Sequence, residues 1–154
     1  MKSSYTKFAS MMGVSIVIMY AVMFLNADTF DHVMLSNTRT YMTVLMVAPM
    51  AISMMLFMWK MYKNKVLNYI IIIGSAVIFI FTLYALRTQL FISDVQWMKA
   101  MIPHHSSAIM VSQKANLKDP EAVKLAKEII EAQEREIAEM KKMIYRIENE
   151  DSNE

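Results

Sequence analysis

The sequence predicts an all-α membrane protein: three transmembrane helices followed by an antiparallel helical hairpin. Three observations carry that expectation. First, 56% of the 154 residues are hydrophobic and 19% charged, and the two classes are segregated, apolar before Leu86 and charged from Asp119 onward. Second, three uncharged runs match the roughly 20 apolar residues that cross a hydrocarbon core. Third, the charged remainder carries helix-start signals and an apolar period near 3.6 residues. A chain of this length holds one compact unit rather than several large domains.

The runs are FASMMGVSIVIMYAVMFL (8–25), YMTVLMVAPMAISMMLFMW (41–59) and VLNYIIIIGSAVIFIFTLYAL (66–86). Lys2 and Lys7 before the first run imitate the basic end of a signal peptide. The run is too long for a typical signal core and lacks a small-x-small cleavage site, so it reads as a span. Orientation follows from basic flanks, which stay in the cytoplasm. Lys2, Lys7, Lys60, Lys63 and Lys65 lie on one side, whereas the first loop sets only Arg39 against Asp28 and Asp31. The expectation is a membrane domain over 1–92 with a cytoplasmic N-terminus. The hairpin over 93–154 is then exported, in a bacterium from the inner membrane to the periplasm or exterior.

Several functions are excluded or narrowed by composition. No basic cluster interleaves with aromatics, so nucleic acid is not an expected partner. The absence of cysteine removes disulfides and thiolate metal sites. Methionine is the anomaly, at 18 residues. Its thioether is a flexible core filler and also a soft ligand for Cu(I). In the second run Met42, Met46, Met50, Met54 and Met58 recur every four residues, and Met12, Met19 and Met23 share a face of the first. An i+4 series drifts by about 40° per step, so the row winds around its helix and suits packing better than a metal relay. Pro49 interrupts the hydrogen bonding of the second span. In the outer loop, His32 and Met34 beside Asp31 form a weak accessory metal site or a solvated loop.

Ser93 with Gln96 three residues on reads as a capping box opening a helix to about residue 116. Asp119-Pro120 is an N-cap and first-turn pair for a second helix reaching about residue 148. The short link makes the two antiparallel. The second helix has an apolar stripe of Ala122, Leu125, Ala126, Ile129, Ile137, Met140, Ile144 and Ile147, interrupted by Gln133 and Glu136. Burying that polar pair requires partners. On the first helix Asp94, Met98, Met101, His105 and Ile109 share a face, with His104 flanking it. A constant-sum register sets Met98 against Met140, Met101 against Glu136 and His104 against Gln133. Spacing alone serves a methionine core and a thioether–imidazole ligand set equally well. As ligands these groups suit Cu(I) and Ag(I), not Mg, Ca or cysteine-free structural zinc.

The stretch 94–144, with Asp94, Met98, the Met-Ile-Pro-His-His run at 101–105, Asp119-Pro120 and the Gln133, Glu136, Ile137, Met140 series, resembles the domain of unknown function 305 family. Its CopM-like members are ferritin-like helical proteins that bind copper and silver outside the cytoplasm. The three-span front end resembles a membrane-anchored subgroup. The resemblance implies Met101, His104, His105 and Met140 as metal ligands, with Met98 next, and Asp94, Gln133 and Glu136 as residues orienting the imidazoles. A single hairpin leaves an apolar face uncovered, so a homo-oligomer is expected to complete the ferritin-like bundle.

These readings lead to an expected function. The chain is a membrane-anchored copper-binding protein, with silver as a second ion, for sequestration, tolerance or handover at the outer face. Its partners are then the metal ion, the bilayer, further copies of itself and copper-handling proteins that the sequence does not name. No Glu-x-x-His pair or hydrolytic triad occurs, so it is not expected to be an enzyme. The competing expectation is an assembly module using the hairpin as a coiled coil without metal.

Overall fold

The chain is all-helical in a computed structural model that describes residues 2–150, with side chains from Ser4 onward. The side chain of Lys2 and residues 151–154, at the end of the expected hairpin, lie outside the described residues. Five α-helices follow in order: α1 (Lys2–Val22), α2 (Asn37–Phe57), α3 (Lys65–Thr88), α4 (Asp94–Lys114) and α5 (Pro120–Glu150). A single 3-10 turn, Phe30–His32, sits between α1 and α2, and no strand occurs among the described residues.

Three of these helices are long and apolar enough to cross a membrane: Ser4–Val22 within α1, Asn37–Phe57 and Lys65–Thr88. The first ends at Val22 rather than at Leu25, because Phe24 and the residues after it belong to a different compact unit.

The first unit comprises the chain up to Met23 together with Thr38–Phe91. Its core gathers Phe8 and Met12 of α1 with Val47, Ala51 and Met55 of α2 and Tyr62. Val14, Val17, Ile70, Ile73, Val77 and Ile80 point outward. A helix apolar on its exposed side is what a hydrocarbon solvent requires. The i+4 methionine row winds as its period dictates. Met42 and Met46 are exposed, Met50, Met54 and Met58 lean on the core, and the fully enclosed methionine is Met55, outside the row.

Several polar groups in this unit are paired. Asn68 of α3 is fully buried, donating from Nδ2 to the Tyr62 carbonyl at 3.0 Å and accepting from the Tyr5 hydroxyl at 2.8 Å. The Asn64 side chain caps α3 by accepting from the Leu67 N–H. Elsewhere in the unit, Arg39 donates to the Met23 carbonyl at 2.9 Å and the Tyr41 hydroxyl to the Leu90 carbonyl at 2.9 Å. Asn68→Ala should leave the Tyr5 hydroxyl and the Tyr62 carbonyl without this partner. The expected loss is about 1–3 kcal/mol, measurable by thermal or SDS unfolding in detergent.

α3 and α4 are separate helices. Gln89 adopts a left-handed conformation (φ 52°) that closes α3, and Phe91 repeats it (φ 57°) before Ser93 opens α4. Two such residues within three positions turn the chain where helix would otherwise continue.

The second unit comprises Phe24–Asn37 and Ile92–Glu154, so the outer loop is part of the same body as α4 and α5. The domain boundary expected at residue 92 is thus incomplete. Met98, Ile102 and Ile109 of α4 meet Ile137, Met140 and Ile144 of α5, with Met34 of the loop packed alongside. Cross-helix pairs Lys99–Glu148 and His105–Glu136 show that α4 and α5 run antiparallel. Only half of the expected capping box forms. The Ser93 hydroxyl accepts from the Gln96 N–H, but the Gln96 side chain accepts from the Asn37 N–H at 2.9 Å instead of returning to Ser93.

Candidate metal site in the second unit

About 100° per residue sorts the α4 side chains into three strips. Met98, Ile102 and Ile109 form the central strip and are buried against α5. To one side, Trp97, Met101 and His105 recur every four residues and line an open cleft of about 400 Å³ with Glu136, Glu139, Met140 and Met143 of α5. On the opposite side Ser106 is fully buried beneath the loop.

His105 holds the centre of the cleft wall. Its Nδ1 lies 3.0 Å from the Met101 carbonyl oxygen, and its Nε2 lies 2.8 Å from Glu136 Oε2. A carbonyl only accepts, so Nδ1–H donates to the Met101 oxygen, and Nε2 faces the cleft, where the Glu136 carboxylate lies against it. The ring is therefore oriented by the backbone of its own helix, one turn back. Glu136 stands at the nitrogen that would bind a metal, so an ion taking Nε2 must displace this carboxylate.

The structure separates the expected site residues. Met101, His105, Met140 and Glu136 converge on the cleft. His104 is exposed, its ring edge-on to His105 at 6.1 Å between centroids. Met98 is 3% exposed and belongs to the core. Asp94 is exposed in the first turn of α4, and Gln133 is half-buried on α5. The register also differs from the constant-sum expectation, since His105 rather than Met101 faces Glu136. The link 115–119 is non-helical, leaving α4 through extended backbone at Ala115, and the pairing is displaced by four residues, about one helical turn. Trp97 and Met143 were not expected in the site. Their signal was present as Trp97 one turn before Met101 and Met143 one turn after Met140.

The loop residues His32 and Met34 do not join this cleft. Met34 packs on the hairpin core, and His32 Nδ1 lies 2.9 Å from Ser106 Oγ. The same Oγ accepts the Asp28 N–H at 2.7 Å, Ser107 Oγ accepts from Asn26 Nδ2 at 2.7 Å, and Asp31 pairs with Lys141 of α5. Burial first, then Lys141, holds the His32 imidazole below its usual pKa, while the hydrogen bond and charge of Lys141 hold the Asp31 carboxyl below its own. For both groups the folded pKa is depressed, so the unfolded or undocked chain takes up protons first and docking weakens as pH falls. His32 acts first, once pH drops below about 6.5, its unperturbed value, and Asp31 only below about 3.9. The protection of the Asp28 amide, measured against its intrinsic exchange rate at each pH, should therefore fall between neutral and mildly acidic pH, and His32→Asn should flatten that response.

Residues 82–144 match the family described as domain of unknown function (DUF305). An uncharacterized protein of Acanthamoeba polyphaga mimivirus is 37% identical over 120 residues, covering 77% of each chain. The chain belongs to the DUF305 family. The stretch aligned with the viral protein is longer than the DUF305 match, so the similarity extends beyond α4 and α5. No solved structure matches the chain.

Proposed function

We propose that this DUF305 protein is a membrane-anchored binding protein for a soft monovalent metal, Cu(I) or Ag(I), held at the non-cytoplasmic face. The observation that carries the reading is the donor set of the cleft: the thioethers of Met101, Met140 and Met143 around one imidazole, His105. Thioether with imidazole favours Cu(I). Among the described residues no group of three His, Cys, Asp or Glu side chains converges, which leaves the methionines as the chemistry that distinguishes this place. The ring of His105 needs no reorientation, because Nδ1 is already engaged by the Met101 carbonyl.

The role is sequestration or handover rather than catalysis. The three apolar helices serve as the anchor, and the basic flanks Lys2, Lys7, Lys60, Lys63 and Lys65 support a cytoplasmic N-terminus. The ferritin-like comparison enters as a half-bundle: α4 and α5 leave Trp97, Leu125 and Met143 exposed, apolar side chains that a second copy would cover. The same exposed surface supports the alternative of a metal-free assembly module.

Titrating the full-length protein in detergent with Cu(I) against a colorimetric chelator, beside size-exclusion light scattering, tests both. Binding at one ion per cleft supports the metal reading. Oligomerisation without competitive Cu(I) binding supports the assembly module and removes the metal.

A further inference from the structure

The outer loop is built inside-out for a segment in water. Its polar groups turn toward protein: Asn26 to Ser107, the Asp28 N–H and His32 to Ser106, and Asp31 to Lys141. Its apolar side chains are left outside, Leu25 at 79% exposure, Phe30 at 97% and Leu35 at 67%, with Val33 beside them. Isolated surface hydrophobics are ordinary, but four within eleven residues of a loop with several of its polar groups engaged by protein call for an apolar surrounding. Chain continuity limits what that surrounding can be. The loop leaves the end of one candidate span at Val22 and enters the next at Asn37.

We propose that the face carrying Leu25, Phe30, Val33 and Leu35 is a lipid-docking surface seated in the headgroup and upper acyl region of the outer leaflet. The occupant is lipid, because both ends of the segment are tethered to candidate spans and its large apolar side chains are the ones left outside. Asp31 pairs with Lys141, so the charge of this carboxylate, itself exposed, is offset by the hairpin. Interfacial segments bind by buried apolar area in this way, with polar groups directed elsewhere. The consequence is a loop with two solvents: Ser106, Ser107 and Lys141 on one side and bilayer on the other. This rests on the three-span reading of the Proposed function.

The absence of cysteine makes a clean test available. Single-cysteine variants F30C and L35C of the full-length protein carry a nitroxide label in phosphatidylcholine/phosphatidylglycerol vesicles. Collision with oxygen, which concentrates in lipid, is compared with collision with a water-soluble nickel chelate. V77C on the outward face of α3 is the lipid reference, and N116C in the exposed α4–α5 link is the water reference. The expected result is Phe30 and Leu35 labels that resemble Val77 rather than Asn116. Labels as open to the nickel chelate as Asn116, or shielded from both reagents as in a protein contact, overturn the proposal. If Val77 itself is water-accessible, the three-span reading fails and the docking surface with it. If Val77 is in lipid and Phe30 is not, only the docking surface fails.

Discussion

His105→Ala should weaken Cu(I) binding by roughly 100-fold or more, whereas His104→Ala should leave it nearly unchanged. Loss of a residue that merely supports a ligand already costs about 10–100-fold in metal affinity, and the proposed site takes His105 as the ligand itself. Its Nε2 faces the methionine-lined cleft, while the neighbouring His104 is exposed. The measurement is competition with a Cu(I) chelator on full-length protein, with circular dichroism confirming that both variants stay helical. Equal losses in the two variants would mean that the histidine pair acts as a unit, in a geometry other than this one.

The contrast between the two histidines shows where sequence reasoning stops. The three candidate spans were legible because hydrocarbon imposes a length and an absence of charge, and both survive any detail of packing. The starts of α4 and α5 were legible because Ser93 and Asp119 accept hydrogen bonds locally, from Gln96 and Ala122. Register between helices is not local. It depended on the non-helical link at 115–119, and one turn of displacement exchanged Met101 for His105 opposite Glu136. The same displacement accounts for Leu125, which belongs to the apolar stripe by period yet is exposed near the start of α5, beyond the reach of α4. The outer loop was the least legible element. Nothing in its residues indicates that Asp31 will meet a lysine 110 positions away.

Met98 and Met140 should respond in opposite ways to the same conservative change. Met98 is enclosed by Ile102, Ile109, Ile137 and Ile144 and does not line the cleft, so Met98→Leu should retain Cu(I) binding. A volume-conserving swap of this kind changes stability by less than about 1.5 kcal/mol. Met98→Ala should instead cost about 2–5 kcal/mol through lost burial and the cavity left behind, read as a lowered unfolding midpoint. Met140 touches both environments, contributing to the core while its side chain lines the cleft. Met140→Leu should therefore keep the fold, because the apolar volume remains, and lose affinity, because no other side chain replaces its sulfur. If Met98→Leu lowers affinity as Met140→Leu does, Met98 is a ligand, and the metal must draw its side chain out of the core. That rearrangement would have to repack Ile102 and Ile109, neither more than 2% exposed, so binding would be accompanied by a change in amide protection along α4. If only Met140→Leu loses the ion, the methionines divide between two tasks by position, Met98 filling the core of α4 and Met140 standing where the core of α5 meets the cleft.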